Sequence, residues 1–120
     1  MSDMTQYETG SLRKSQVEKS RIDLISPLFL MRLGYHMGRG IKEYAERNWE
    51  LGQPTARLYS SACRHLAQWA IGLKDEDHLA AAAFNIMAII HEEEMIKFGK
   101  MDPKFDDMTH YVETSDKIYK

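Results

Sequence analysis

His78, Asn85 and Glu92 recur every seven residues through a run that is otherwise almost wholly apolar. A helix there would carry them on one stripe flanking its hydrophobic face. Upstream, His65 lies at helical spacing beside Ser61 and Gln68, with Arg57 and Arg64 one step further round. Packed as antiparallel neighbours, two such helices would bring His65 against His78, a pair able to share a metal ion or a phosphate-bound water. Acids, imidazoles and cations that helices can bring together are the material of divalent-metal and phosphate sites. Asn85 is the sharpest anomaly, because a buried amide left unpaired costs roughly 1–3 kcal/mol.

Each of these residues also has a plainer reading. A lone histidine flanking a helix core is more often a satisfied structural group, and Asp75, Glu76 and Asp77 read as charges capping a helix start. Glu92, Glu93 and Glu94 read most simply as a solvated face. Tyr44 and Trp49 suit a core, but with Arg47 and Asn48 they also make a base-stacking and hydrogen-bonding surface. There is no Walker loop, dinucleotide fingerprint, G-x-S-x-G or Cys/His zinc spacing, and nothing suggests a covalent nucleophile.

The elements that must position these groups are helical. From Asp23 onward Leu24, Leu28, Met31 and Tyr35 share a face, with Pro27 tolerated in the first turn. Gly34, Gly38 and Gly40 predict a break near residues 38–40, followed by a short helical piece over 41–46 and an ordered loop over 47–54. Thr55 can cap a second helix running to about Ile71, before Gly72, with an apolar stripe of Leu58, Ala62, Leu66, Trp69 and Leu73. A third helix follows Asp75-Glu76-Asp77 and runs to about Phe98, before Gly99. Leu79, Ala83, Ile86 and Ile90 are its expected buried stripe, with the alanines at 80–83 permitting close helix contact. Residues 1–20 form a polar arm, and 102–120 a C-terminal extension with scattered aromatics. No repeat and no sustained strand alternation is present, so the expected fold is all-α, a small helical bundle in a single domain over residues 1–120.

Size and charge narrow the function. At 120 residues only about 60–70% of the unfolded surface is buried on folding, so the core is expected to be completed by homo-oligomerisation, as a dimer or tetramer. A net charge of −2 without a dense basic run disfavours a nucleic acid polymer or an anionic membrane as partner, while leaving room for a local basic pocket. No apolar stretch spans a bilayer, and the N-terminus MSDMTQYETG lacks a signal-peptide core, which predicts the cytoplasm. The lone Cys63 fits a reducing compartment.

Three blocks in order carry a resemblance: Lys19-Ser-Arg21-Ile-Asp23-Leu24-Ile25-x-Pro27, then Gly40-x-x-x-Tyr44-x-x-Arg47-Asn48-Trp49-Glu50-x-Gly52, then Arg57-x-Tyr59-x-x-x-x-Arg64-His65-Leu66-x-x-Trp69-x-x-Gly72. A fourth follows as Asp75-Glu76-x-His78-Leu79 with Asn85. Together they resemble the N-terminal domain of phage dATP/dGTP diphosphohydrolases, within the MazG-like all-α superfamily of nucleoside triphosphate pyrophosphohydrolases.

The resemblance implies metal-dependent cleavage of dATP or dGTP between the α and β phosphates, giving the monophosphate and pyrophosphate and reshaping a phage dNTP pool in the host cytoplasm. One or two Mg²⁺ or Mn²⁺ ions are implied as cofactor, with His65, Asp75, Asp77 and His78 around the metal and His65, His78 and Asn85 as the catalytic set. Arg13, Lys19, Arg21 and Arg64 would bind phosphate oxygens, and Tyr44, Arg47, Asn48 and Trp49 would face the sugar or base. Where similar enzymes carry a second histidine on the last helix this chain has Ala81, which motivates a second reading, a nucleotide-binding protein that does not hydrolyse. A third is a helical interaction module in which His65, His78 and Asn85 are packed and unliganded.

Overall fold

Three polar contacts tie the two longest helices together. In the computed structural model, which describes residues 4–15 and 18–112, α1 spans Pro27–Gly40, α2 Thr55–Ala70 and α3 His78–Lys97. Thr55 meets Glu92, Ser61 meets Asn85 and His65 meets His78, so α2 and α3 run antiparallel with one polar rung about every turn or two. The alanines Ala81, Ala82 and Ala88 lie among these rungs and let the helices approach closely. α1 packs on α3 as the third member.

Local chemistry sets the ends. Ser26 caps α1 by accepting from the Phe29 N–H at 3.3 Å, with Pro27 in the first position. α1 runs through Gly34 and Gly38 and stops at Gly40, as the glycines predict. The helical piece expected over 41–46 is instead a set of turns closed on the Arg39 and Gly40 carbonyls. A 3₁₀ turn at Asn48–Leu51 follows Arg47, whose φ of 60° lies in the left-handed region. Pro54, not Thr55, is the N-cap of α2, because the Thr55 hydroxyl is used elsewhere and donates to Glu92. Asp77 caps α3 through the Ala80 N–H at 3.1 Å.

The polar arm and the C-terminal extension both contain regular structure. Residues 4–14 contain an antiparallel hairpin of β1 (Met4–Gln6) and β2 (Leu12–Lys14), too short for alternation to reveal it and fully exposed. The C-terminal segment makes a 3₁₀ turn at Pro103–Phe105 and folds back onto the start of α2, where the Asp107 carboxylate accepts the Ala56 N–H at 2.8 Å. Gly52, at φ 104°, lies under it: a Cβ there would stand 3.3 Å from the Phe105 ring. The last eight residues of the expected extension lie outside the described residues.

The burial of α3 departs from its expected face. α3 buries His78, Asn85 and Glu92, while Ile86 and Ile90 are about half exposed. α2 buries Leu58 and Ala62 of its expected stripe but leaves Leu66 and Trp69 exposed, and Leu73 lies past its end, exposed as well. Leu24, Leu28, Met31 and Tyr35 are exposed as well, and α1 contributes no buried residue. Glu92, read as part of a solvated run, is 2% exposed. The cause is the polar pairing: each buried polar side chain of α3 finds its partner on or just before α2, so that face turns inward. The buried apolar core among the described residues is one leucine and five alanines, Leu58, Ala62, Ala80, Ala81, Ala82 and Ala88. No helix among the described residues is long and apolar enough to cross a membrane.

Candidate functional site

The histidine rung stands at the end of the α2–α3 seam nearest their connecting turn. His65 Nδ1 and His78 Nδ1 face each other at 3.0 Å, and His78 Nε2 lies 2.7 Å from an Asp75 carboxylate oxygen. Asp75 accepts a hydrogen bond only if His78 carries its proton on Nε2, so a neutral His78 presents a lone pair at Nδ1, toward His65. The same bond to His78 holds the Asp75 carboxyl below the usual carboxylate range. Glu76 approaches from the turn, one oxygen 3.9 Å from His65 Nδ1. One atom each from His65, Glu76 and His78 fall within 4.8 Å of one another. Burial pushes His65 below an ordinary imidazole, with Arg64 and His78 acting in the same direction against Glu76 and Asp75.

Asp77 serves a different purpose. Both its oxygens bond the Arg32 guanidinium, at 2.7 and 2.8 Å, while it also caps α3. Arg32 lowers its carboxyl to about 2. Its oxygens join α1 to α3, away from the histidine pair.

A cavity of about 1060 Å³ opens beside the pair. Tyr44, Arg47, Asn48 and Trp49 form one wall, Arg57, Ser61, Arg64 and His65 of α2 a second, and Glu76, Ala81, Phe84 and Asn85 lie along the turn and α3. Trp49 is set edge-on to His91 and Phe84 of α3, with ring centroids 4.9 and 6.1 Å away, so it is both packed and cavity-lining. Asn85 donates its amide N–H groups to Ser61 Oγ at 3.2 Å and the Ala81 carbonyl at 2.9 Å, which leaves its amide oxygen for the cavity.

Of the residues singled out from sequence, Tyr44, Arg47, Asn48, Trp49, Arg64, His65 and Asn85 converge on this cavity. His78 is buried beside His65, and its Nε2 is held by the exposed Asp75. Arg13, Lys19 and Arg21 do not line it: Arg13 is on the exposed hairpin and Arg21 is paired with Asp23. Sequence reasoning missed His36 and Arg39, and it named Arg57 and Glu76 without giving either a role in the site. Glu76 was hidden among three acids that all look like caps; the signal was its position two residues before His78. His36, which stacks on Phe84 at 5.4 Å, is pushed below its ordinary pKa mainly by burial.

Residues 9–103 match the family model described as the dATP/dGTP diphosphohydrolase N-terminal domain. No curated protein and no solved structure matches the chain.

Proposed function

Because the chain belongs to the dATP/dGTP diphosphohydrolase family through this N-terminal domain, we propose that it hydrolyses dATP or dGTP to the monophosphate and pyrophosphate. The observation that carries this reading is one cavity holding an aromatic and amide wall, two cationic helix positions and the His65, Glu76 and His78 cluster. Its volume of about 1060 Å³ admits a nucleoside triphosphate. In the reaction a water oxygen bonds to phosphorus and the α–β bridging P–O bond breaks, so pyrophosphate leaves.

Arg57 and Arg64 project from one face of α2 and supply charge to the phosphate oxygens. Tyr44, Asn48 and Trp49 hold the sugar or base, and Trp49, fixed by Phe84 and His91, offers a rigid apolar surface. The Asn85 amide oxygen orients the attacking water or serves as a ligand. Glu43 and Glu46, carboxylates of the same cavity, are in reach of the cavity space to take the proton that water gives up.

Of the cation set expected from sequence, His65 and His78 remain and Glu76 replaces Asp77, whose oxygens are committed to Arg32. Asp75 orients His78 and is not itself a ligand. The fit rests on three donor atoms close enough to share one ion. When bound, a divalent cation acts as a Lewis acid toward phosphate oxygens.

The test is incubation with each of the four dNTPs and NTPs, with and without Mg²⁺ or Mn²⁺, resolving monophosphate, diphosphate and pyrophosphate. Purine monophosphate plus pyrophosphate supports the reading. Ala81, at the cavity where similar enzymes carry a histidine, favours the alternative of a nucleotide binder; tight binding with no turnover of any nucleotide would establish it. In a phage-infected cell the hydrolase would draw down purine deoxynucleotides.

The same reading includes a second copy of the chain. A core of one leucine and five alanines among the described residues is small for this length, and the exposed surface of 10286 Å² exceeds the roughly 6,700 Å² of a compact monomer of this mass. Part of the excess is the exposed hairpin. The rest includes Leu28 and Met31 of α1, Trp69 of α2, and Ile86 and Ile90 of α3. An obligate homodimer buries about 1,000–2,500 Å² on each chain, so a second copy would cover part of this excess.

A further inference from the structure

We propose that the His65, Glu76 and His78 cluster selects a transition-metal ion such as Mn²⁺ or Co²⁺ and does not take Mg²⁺. The inference rests on the reading of the adjoining cavity as the nucleotide site for its purpose, and on donor chemistry for its content.

Donor type argues first. Two imidazole nitrogens and one carboxylate form a borderline set that suits Mn²⁺, Fe²⁺, Co²⁺ and Zn²⁺, whereas Mg²⁺ demands oxygen ligands and dehydrates reluctantly. Asp75 argues second. By accepting from His78 Nε2 at 2.7 Å it fixes the tautomer in which the buried ring aims its Nδ1 lone pair at His65, the arrangement in which metal-ligating histidines are commonly held. A histidine 2% exposed with both ring nitrogens so directed is oriented on both sides.

Spacing argues third. Two donors about 2.1 Å from one ion and at right angles stand about 3.0 Å apart, while opposite donors stand about 4.2 Å apart. The two Nδ1 atoms are 3.0 Å apart and the Glu76 oxygen is 3.9 Å from His65 Nδ1, both inside that range. Two histidines and one carboxylate fill at most three positions, and a three-ligand set leaves places for water or substrate, as at catalytic rather than structural sites. His65 and Glu76 both line the cavity, so those places face it. Without a metal, the same geometry is a hydrogen bond between the rings, with His65 Nδ1–H donating to His78 Nδ1.

The test uses the full chain stripped with chelator and no nucleotide. Mn²⁺ binding is read by loss of the free-ion electron paramagnetic resonance signal, and Co²⁺ binding by its visible absorption. One Mn²⁺ per chain is expected, undisturbed by a 100-fold excess of Mg²⁺. Binding should weaken by more than tenfold in His65→Ala and Glu76→Gln, and by about 10–100-fold in Asp75→Asn. His65 is only partly buried and Glu76 is exposed, so their variants, checked by circular dichroism, test the site without the loss of buried packing that His78→Ala brings. Displacement by equimolar Mg²⁺, unchanged binding in both variants, or no Mn²⁺ binding each overturns the proposal. Parallel dATP and dGTP assays separate the two claims. Mn²⁺ bound through His65 with no hydrolysis sinks the enzyme reading alone, and hydrolysis with Mg²⁺ that survives His65→Ala sinks the metal site alone.

Discussion

The carboxylate of Glu92, near the C-terminal end of α3, receives the hydroxyl of Thr55 at 3.2 Å and the backbone N–H of Gln53 at 2.6 Å. A charge buried to 2% exposure is thus held at the positive end of α2, where the helix dipole and two donors offset its desolvation. Glu92→Ala should lower stability by about 3 kcal/mol, since it strands buried donors, and Glu92→Gln by less. Urea unfolding of both variants checks this. Equal, small losses would mean that the carboxylate is not holding the loop.

Asp77 tests structure against chemistry. Asp77→Ala removes the cap of α3 and its tie to Arg32, and should cost about 1 kcal/mol while leaving Mn²⁺ binding intact. Loss of metal binding in a folded Asp77→Ala protein would restore Asp77 to the ligand set.

The pH dependence of the same residue has a fixed sign. Its folded carboxyl is lowered to about 2 from an ordinary value of 3.8, chiefly by Arg32. Its stabilising contribution is therefore fully present above the unfolded value and is lost as pH falls from about 4 toward 2. Thermal melts of wild type and Asp77→Asn across that interval should converge at the acid end. Parallel curves would count against the assignment.

The arginines divide by position. Arg64→Ala, at the cavity, should lower kcat/KM for the triphosphate by about 100-fold, the scale of a lost charge-assisted phosphate contact. Arg13→Ala, on the exposed hairpin, should leave turnover unchanged. Steady-state kinetics of the two variants decides it, and a large loss in Arg13→Ala would bring the arm back to the substrate.

For the second copy, light scattering of the wild type should give twice the chain mass. Ile86→Glu, on the exposed stripe of α3, should shift the protein toward monomer and make its melting temperature depend more steeply on concentration. A monomeric wild type at micromolar concentration removes the idea.

Much of the helix boundaries was legible because it depends on local chemistry: Pro27 stands in the first turn of α1, Gly72 follows α2, and Asp77 opens α3, whereas the caps Ser26 and Pro54 were not foreseen. The faces were not. Periodicity identifies a stripe of Leu79, Ile86 and Ile90 but not what covers it, and pairing with α2 turned the flanking polar stripe inward. His65 meeting His78 was readable because each lies near the turn joining its helix to the other. Glu76 was not, since only the conformation of that turn sends Asp75 and Glu76 to the rings and Asp77 to Arg32. Of the arm's cations, Arg13 sits on a hairpin that sequence alternation was too short to reveal, and Arg21 is taken up by Asp23, two residues along.

An apolar seam of leucines can slide by a helical turn and find nearly equivalent neighbours. The α2–α3 seam cannot: hydroxyl with carboxylate, hydroxyl with amide, and imidazole with imidazole fit at one offset only, and any shift strands all three pairs together. The spacing between the arginines of one helix and the acid and imidazole groups at its end is therefore indexed during folding. A ligand meets a ruler already set to length.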